Sequence, residues 1–421
     1  MLPVHREFYD NSPGQAAATL ETYLDSSSWG EDDAGLLKLE LASALQANGQ
    51  YARAARLLAE VDQKLEVLDY SQMPLEDIAS FLFATNKPWR ATPPERLMVN
   101  TQGMVNRLVQ HDNPDALSEA AVEASRLRTL LTQGDLSEEE LFGNDFANAL
   151  AGFCMEQRGR LGEAEDFWRE VKGAFSLRPT DQQELDADES GTVLVIVQMG
   201  KAPIRRQYRL ALPVDGNIYQ LRIPVMVERS DAYRTATVFV DGVAYGEVPL
   251  MFDYGKHLMT QYKRDRGRLL AAAAAQLISR TFIARSMGEA ANRNSESRDA
   301  GKFTEFFAHL FLAEMQPPDT RCWSLTPQSF HALRLDLPAG EYQIGVVLDG
   351  TQRENLVPMR VSVQPRQPVV LNVVSDRFRT WNEKEGLNDL TPKDASAAQV
   401  ALWDDAGEAE KQLRMALQTT N

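Results

Sequence analysis

Gly191-Thr-Val-Leu-Val-Ile-Val-Gln-Met199 divides the chain into two textures. From Thr192 onward it is a continuous, largely β-branched run, the composition of a buried strand rather than an amphipathic helix. Further runs of the same kind follow at Tyr208–Leu212, Ile218–Val227 and Thr235–Val240. Asp241-Gly242 then supplies the left-handed backbone of a tight hairpin leading into Val243–Leu250. Strands resume at Phe330–Leu337, Tyr342–Leu348, Leu356–Val363 and Val369–Val374, with Pro338-Ala-Gly340 and Asp349-Gly350 at turns. About eight short strands at hairpin spacing predict an antiparallel β-sandwich over 191–375.

Upstream, residues 14–178 read as helical. Leu37, Leu41, Ala44 and Leu45 recur at helical spacing, Gly49 stops the helix, and Ala54, Leu57, Leu58 and Val61 begin a second one. The turn phrase returns: Gly49-Gln-Tyr-Ala-Arg-Ala54 matches Gly159-Arg-Leu-Gly-Glu-Ala164, and Asp115-Ala-Leu-Ser-Glu-Ala120 is a looser copy. Each copy separates two amphipathic segments, the pattern of a tetratricopeptide-like array. The spacings of 66 and 44 residues between copies make it irregular, with the extra length in Asp69–Pro94 and Thr132–Asp135. The expected class is therefore α+β and multidomain. A helical domain spans 1–178, an acidic linker 179–190 and a β-domain 191–375. A helical insertion interrupts the β-domain at 252–315, and a polar, partly helical tail covers 376–421.

Charge follows the same division. Of 44 Lys+Arg and 60 Asp+Glu, residues 1–189 hold 16 and 34, a balance of −18, and the remainder holds 28 and 26, a balance of +2. A net charge of −16 argues against a general nucleic-acid binder, which needs clustered positive charge to neutralise phosphates. With 43% hydrophobic and 25% charged residues, neither wholesale disorder nor a fibrous repeat fits. No apolar run reaches the ~18 residues of a membrane span. The opening residues Met1–Asp10 lack the charged and apolar regions of an export signal.

Chemistry-bearing patterns are sparse. Neither a dinucleotide fingerprint nor a phosphate-cradling GxxxxGK[ST] is present, and HExxH and GxSxG are missing. His5, His111, His257, His309 and His331 are scattered, and Cys154 and Cys322, in segments that read as helix and strand, form no metal pair and read as free thiols. No catalytic residue, cofactor or metal is expected from these patterns. Two stretches invite a partner. One is the basic head of the inserted helix, Lys256, His257, Lys263, Arg264, Arg266 and Arg268. It suits an acidic partner, or the chain's own acidic half, and also reads as a solvated helix face. The other is Asp319-Thr-Arg-Cys-Trp323, where Arg321 and Trp323 suit an interface anchor, or a lock of the insertion onto the sheet.

Several of these stretches carry a family likeness: Pro94-Glu-Arg-Leu-Met-Val-Asn100 with Ala120-Ala-Val-Glu-Ala-Ser-Arg126, Gly191–Pro203, Leu210–Pro224, and Asp319–Trp323 with Leu333–Tyr342. In them the chain resembles a group of bacterial cell-envelope lipoproteins that pair a tetratricopeptide-like half with a β-rich half. The resemblance implies a non-catalytic protein-binding scaffold or assembly factor at the periplasm or outer membrane, and it brings no catalytic residues. The chain departs from the family at its start, which has no lipobox, so a cytoplasmic address stands as the alternative. Two other functions remain open: a regulator of a cell-wall synthesis enzyme, and a hydrolase or transferase with a site in the β-domain.

Overall fold

The computed structural model describes residues 1–10, 12–26, 33–65, 88–110, 113–132, 145–171, 189–214, 217–229, 231–272, 318–356 and 358–375. The expected linker (apart from Glu189 and Ser190), the second insertion helix at Lys302–Met315, the tail, His111 and His309 lie outside them. The described chain mixes helix and several sheets.

Helices α1 (Leu2–Tyr9), α2 (Pro13–Asp25), α3 (Ala34–Ala47), α4 (Tyr51–Asp62), α5 (Pro93–Leu108), α6 (Ala116–Thr132), α7 (Asp145–Gln157) and α8 (Leu161–Glu170) each pack on the next in the chain. The repeated turn phrase has a physical basis. Gly49 and Gly159 take φ of 76° and 71°. Gln50 N–H bonds to Leu45 O and Gly49 N–H to Gln46 O, while Arg160 N–H bonds to Met155 O and Gly159 N–H to Glu156 O. Both are Schellman endings, which satisfy carbonyls that a terminating helix would otherwise leave unpaired. Ala54, Ala120 and Ala164 are fully buried where helices meet. The looser copy at Asp115 lacks the glycine but keeps the alanine contact.

Eleven strands are described: β1 (Ser190–Met199), β2 (Ile204–Val214), β3 (Asn217–Val227), β4 (Tyr233–Val240), β5 (Val243–Glu247), β6 (Leu250–Asp253), β7 (Ser329–Pro338), β8 (Gly340–Gly350), β9 (Arg353–Asn355), β10 (Met359–Val363) and β11 (Val369–Val374). One sheet runs β11-β1-β7-β6, and a second runs β10-β8-β4-β5 with β9 on β8. β2 and β3 form a separate ribbon. After β6, residues 254–272 form helix α9.

β1 is central. Val193, Val195, Val197 and Met199 point into a core shared with Val238, Ile344, Val346 and Leu348 of the second sheet. Leu194 and Ile196 point the other way, into a core shared with the helices. Burial on both faces explains the unbroken apolar run. On the helical side, Phe330 of β7 stacks on Phe146 of α7 with ring centroids 5.2 Å apart.

Three expectations change. β1 pairs antiparallel with β7 but parallel with β11, Val193 opposite Val369 through Gln198 opposite Val374. The sheet is therefore not purely antiparallel, because the chain crosses from β10 in one sheet to β11 in the other and no hairpin fixes its direction. The expected strand Val243–Leu250 is two strands in different sheets, split at Val248-Pro249. Cys322 sits in the irregular segment 318–328, not in a strand.

Candidate functional site

The expected partner residues Arg321 and Trp323 fall in the segment 318–328, which runs against the helical half. Arg321 grips Asp319 through Nε (2.9 Å) and Nη2 (2.7 Å) and reaches Asp33 of the helical half through Nη1 (2.6 Å). These pairs raise the guanidinium above its ordinary range despite burial. Trp323 is 3% exposed. Its backbone N–H donates to Glu95 (3.0 Å) and its indole Nε1–H to Ser43 (2.9 Å). Glu95 also closes the start of α5: Thr92 N–H and Thr92 Oγ1 both donate to its other oxygen at 2.8 Å. One carboxylate thus caps a helix and holds the segment.

Glu40 of α3 is the centre of this junction. It is 1% exposed. It accepts from Ser324 N–H and Ser324 Oγ, each at 2.6 Å, and from Leu325 N–H at 2.9 Å. Burial pushes its carboxyl up to about 7, outweighing the lowering by these donors and by Arg229. Arg229 donates to Ser324 O (2.7 Å), Tyr9 Oη (3.0 Å) and Ala202 O (2.6 Å), tying the β2–β3 ribbon to the same point.

His5 Nε2 lies 2.7 Å from Ser324 Oγ, so a histidine, a serine and a glutamate meet here. Their order rules out a nucleophilic triad. In a triad the imidazole stands between carboxylate and hydroxyl and takes the hydroxyl proton. Here the serine stands between, and when Glu40 is ionised the hydroxyl proton is committed to it. His5 then donates from Nε2. Burial, with Arg229 and Arg206 nearby, holds its ring at about 3 and therefore neutral. All three side chains are enclosed, so the arrangement works as a clamp.

A second seam ties the sheet to the helices. Gln46 donates to Gln102 (2.8 Å), Gln102 to Gln198 (2.9 Å) and Gln198 to Asn372 (2.8 Å), an amide chain from α3 through α5 to β1 and β11. Nearby, Arg334 of β7 forks onto Glu156 of α7 at 2.7 and 3.0 Å and onto Asp336 at 3.0 and 3.1 Å. Apart from Trp323 and Arg321, none of these residues was singled out by sequence. Isolated glutamines and glutamates in helical runs carry no signal until their partners from the other half are known.

The basic residues occupy α9. Asp253 caps its start by accepting Lys256 N–H at 2.8 Å. Lys256, Lys263 and Arg264 are exposed, and Arg266 and Arg268 half-buried. Arg264 meets Asp265 at 3.3 Å. The ion pairs that join the halves include Arg321–Asp33 and Arg334–Glu156.

One further polar pair lies in the β-domain. Ser329 and His331 alternate on the same face of β7. Ser329 Oγ is 3.1 Å from His331 Nε2, and His331 Nδ1 faces Val248 O at 3.3 Å. Burial lowers the imidazole below its ordinary range, so it is a neutral base oriented by a carbonyl. The Ser-x-His spacing on a strand was a legible signal that sequence reading passed over. Cys154 and Cys322 are free. Burial raises their thiols to about 12 and about 11, so both stay protonated at neutral pH. Among the described residues no group of three or more His, Cys, Asp or Glu is placed to hold a metal, and no helix is long and apolar enough to cross a membrane.

No protein-family model, curated protein or solved structure matches the chain.

Proposed function

We propose that the protein is a protein-binding scaffold or assembly factor of the bacterial cell envelope, built from an irregular tetratricopeptide-like array fixed to a β-sandwich. The observation that carries this reading is the open side of the sheets. Among the described residues β5 is one edge of its sheet, opposite β10, and β6 one edge of the other, opposite β11. Val243 (71%), Tyr245 (46%) and Leu250 (48%) stand exposed along them. Natural sheet edges are usually blunted by lysine, proline or cover. An apolar edge strand, VAYGE, without lysine or proline suits an extended partner segment added to the sheet. The junction supports the same reading, because a helical half clamped to the sheets presents its surfaces at a fixed angle to this edge. The envelope address comes from the family likeness alone.

The test is capture with the tagged full-length protein and with Val243→Lys/Tyr245→Lys. The double variant should lose the captured partner and keep its thermal midpoint. Equal capture by both proteins removes the edge from the reading. Mass spectrometry of the partner decides between a general scaffold and a regulator of a cell-wall synthesis enzyme.

A second reading, a hydrolase or transferase, draws on Ser329 and His331, since a serine bonded to an oriented neutral histidine is the core of nucleophilic catalysis. An alkyl fluorophosphonate probe should label the wild type and not Ser329→Ala if that reading holds. No labelling at Ser329 removes it.

A further inference from the structure

The backbone and the charges along β5 narrow what can be added to this edge. Val240-Asp241-Gly242-Val243 joins β4 to β5 through a two-residue turn, with φ of 50° at Asp241 and 81° at Gly242, the backbone of a type I′ hairpin. In such a hairpin the flanking pair, Val240 and Val243, exchanges its hydrogen bonds, so the N–H and C=O of Ala244 turn the other way, out of the sheet. At the far end Val248 N–H donates inward to Ala236 O at 2.8 Å. Glu247, one position earlier, therefore also turns its N–H and C=O outward. Tyr245 is the extra residue of a bulge between these two points, because Phe239 faces Ala244 while Val238 faces Gly246. Among the described residues no strand lies on the outer side of β5.

The charges beside those groups have one sign. Asp241 and Glu247 flank the strand, both exposed, and no lysine or arginine occurs from Asp241 through Gly255. Gln343 N–H donates to Asp241 Oδ1 at 2.8 Å, which fixes that carboxylate without neutralising it. Arg234, exposed on β4, lies three residues before Thr237, where the pairing with β5 ends. A second copy of this chain is a poor occupant. Antiparallel pairing of β5 with itself would set four carboxylates in one short seam, between two chains that each carry −16. Like charges across a strand pair destabilise it. A positively charged segment gains instead, from the two carboxylates and from the field of an acidic chain, which speeds its arrival.

We propose that the β5 edge takes a basic extended peptide in which lysine or arginine alternates with apolar residues. Its backbone pairs with Ala244 and Glu247, its apolar side chains cover Val243 and Tyr245, and its cations meet Asp241 and Glu247. Alternation puts the two kinds of side chain on opposite sides of one strand. The inference rests on the sheet-edge reading above and adds the chemistry of the partner.

The probes are two labelled peptides, Lys-Val-Lys-Val-Lys-Val-Lys and Glu-Val-Glu-Val-Glu-Val-Glu, titrated with the full-length protein by fluorescence anisotropy. A third probe is the lysine peptide with alternate backbone nitrogens methylated. The lysine peptide should bind about tenfold more tightly than the glutamate peptide, and less tightly as salt rises. Methylation should abolish binding, because it removes the N–H groups that pair with the edge. Glu247→Gln and Asp241→Asn should each weaken the lysine peptide about two- to fivefold, the value of one exposed ion pair. No binding of the lysine peptide, or a glutamate peptide that binds as well, overturns the proposal. The sheet-edge reading is then judged separately, by whether Val243→Lys/Tyr245→Lys loses the captured partner. Equal binding of the methylated peptide also overturns the proposal, since it shows charge attraction without strand pairing. So does unchanged binding in both folded carboxylate variants.

Discussion

Glu40 gives the sharpest quantitative test of the junction. Its carboxyl ordinarily titrates at 4.5 and in the folded protein at about 7. The folded state therefore holds its proton more tightly than the unfolded state. Between those two values the folded protein keeps the proton while the unfolded chain has released it. Stability from this group is greatest below pH 4.5, falls as pH rises to about 7, and is flat above. The difference corresponds to about 3 kcal/mol. Glu40→Gln keeps one oxygen for Ser324 but turns an N–H₂ toward Leu325 N–H. At pH 5 it should destabilise by about 1–3 kcal/mol, the cost of one unsatisfied buried donor. At pH 8 the wild type carries a desolvated charge that the variant does not, so the gap should close or reverse. Urea unfolding of both proteins at pH 5, 6, 7 and 8 measures this directly. Other carboxylates titrate equally in both and cancel in the difference. A wild-type-minus-variant difference that stays constant over this range refutes the argument, because it would mean that Glu40 is ionised throughout.

Arg334→Ala should cost about 1–3 kcal/mol, since it leaves the half-buried Glu156 without its charged hydrogen-bond donor. Because both side chains are only 10% and 12% exposed, the loss should change little between low and high salt, as denaturation curves would show. Ala164→Trp overpacks a fully buried helix contact and should destabilise by about 1–3 kcal/mol or more, seen as a lower thermal midpoint. Tyr254→Phe goes the other way. The Tyr254 hydroxyl is buried without a partner, so its removal should leave stability unchanged or raise it by about 1 kcal/mol in a calorimetric scan. Cleavage between Thr180 and Glu189 should not yield two independently stable pieces, because Leu194, Ile196 and Phe330 share one core with the helices. Two fragments with separate cooperative melts would contradict this.

The sequence by itself determined the local elements, because their causes are local. A glycine at positive φ followed by a buried alanine marks a helical turn wherever it occurs, and Gly49 and Gly159 did so in isolation. The run Thr192–Met199 announced a strand, and Asp241-Gly242 a hairpin, for reasons contained within a few residues. Tertiary structure alone decided which faces those elements present to one another. Glu40, Glu95, Gln102 and Gln198 read as ordinary polar residues of a helix or strand until residues far along the chain supply their partners. Glu40 meets Ser324 across 284 positions, and no periodicity encodes such a pairing. For Trp323, which the sequence offered both as an interface anchor and as a core residue locking the insertion, the same cause decided for burial and set its partners, Glu95 and Ser43. It also placed β11 parallel to β1, a direction set by the path between sheets and not by the composition of either strand.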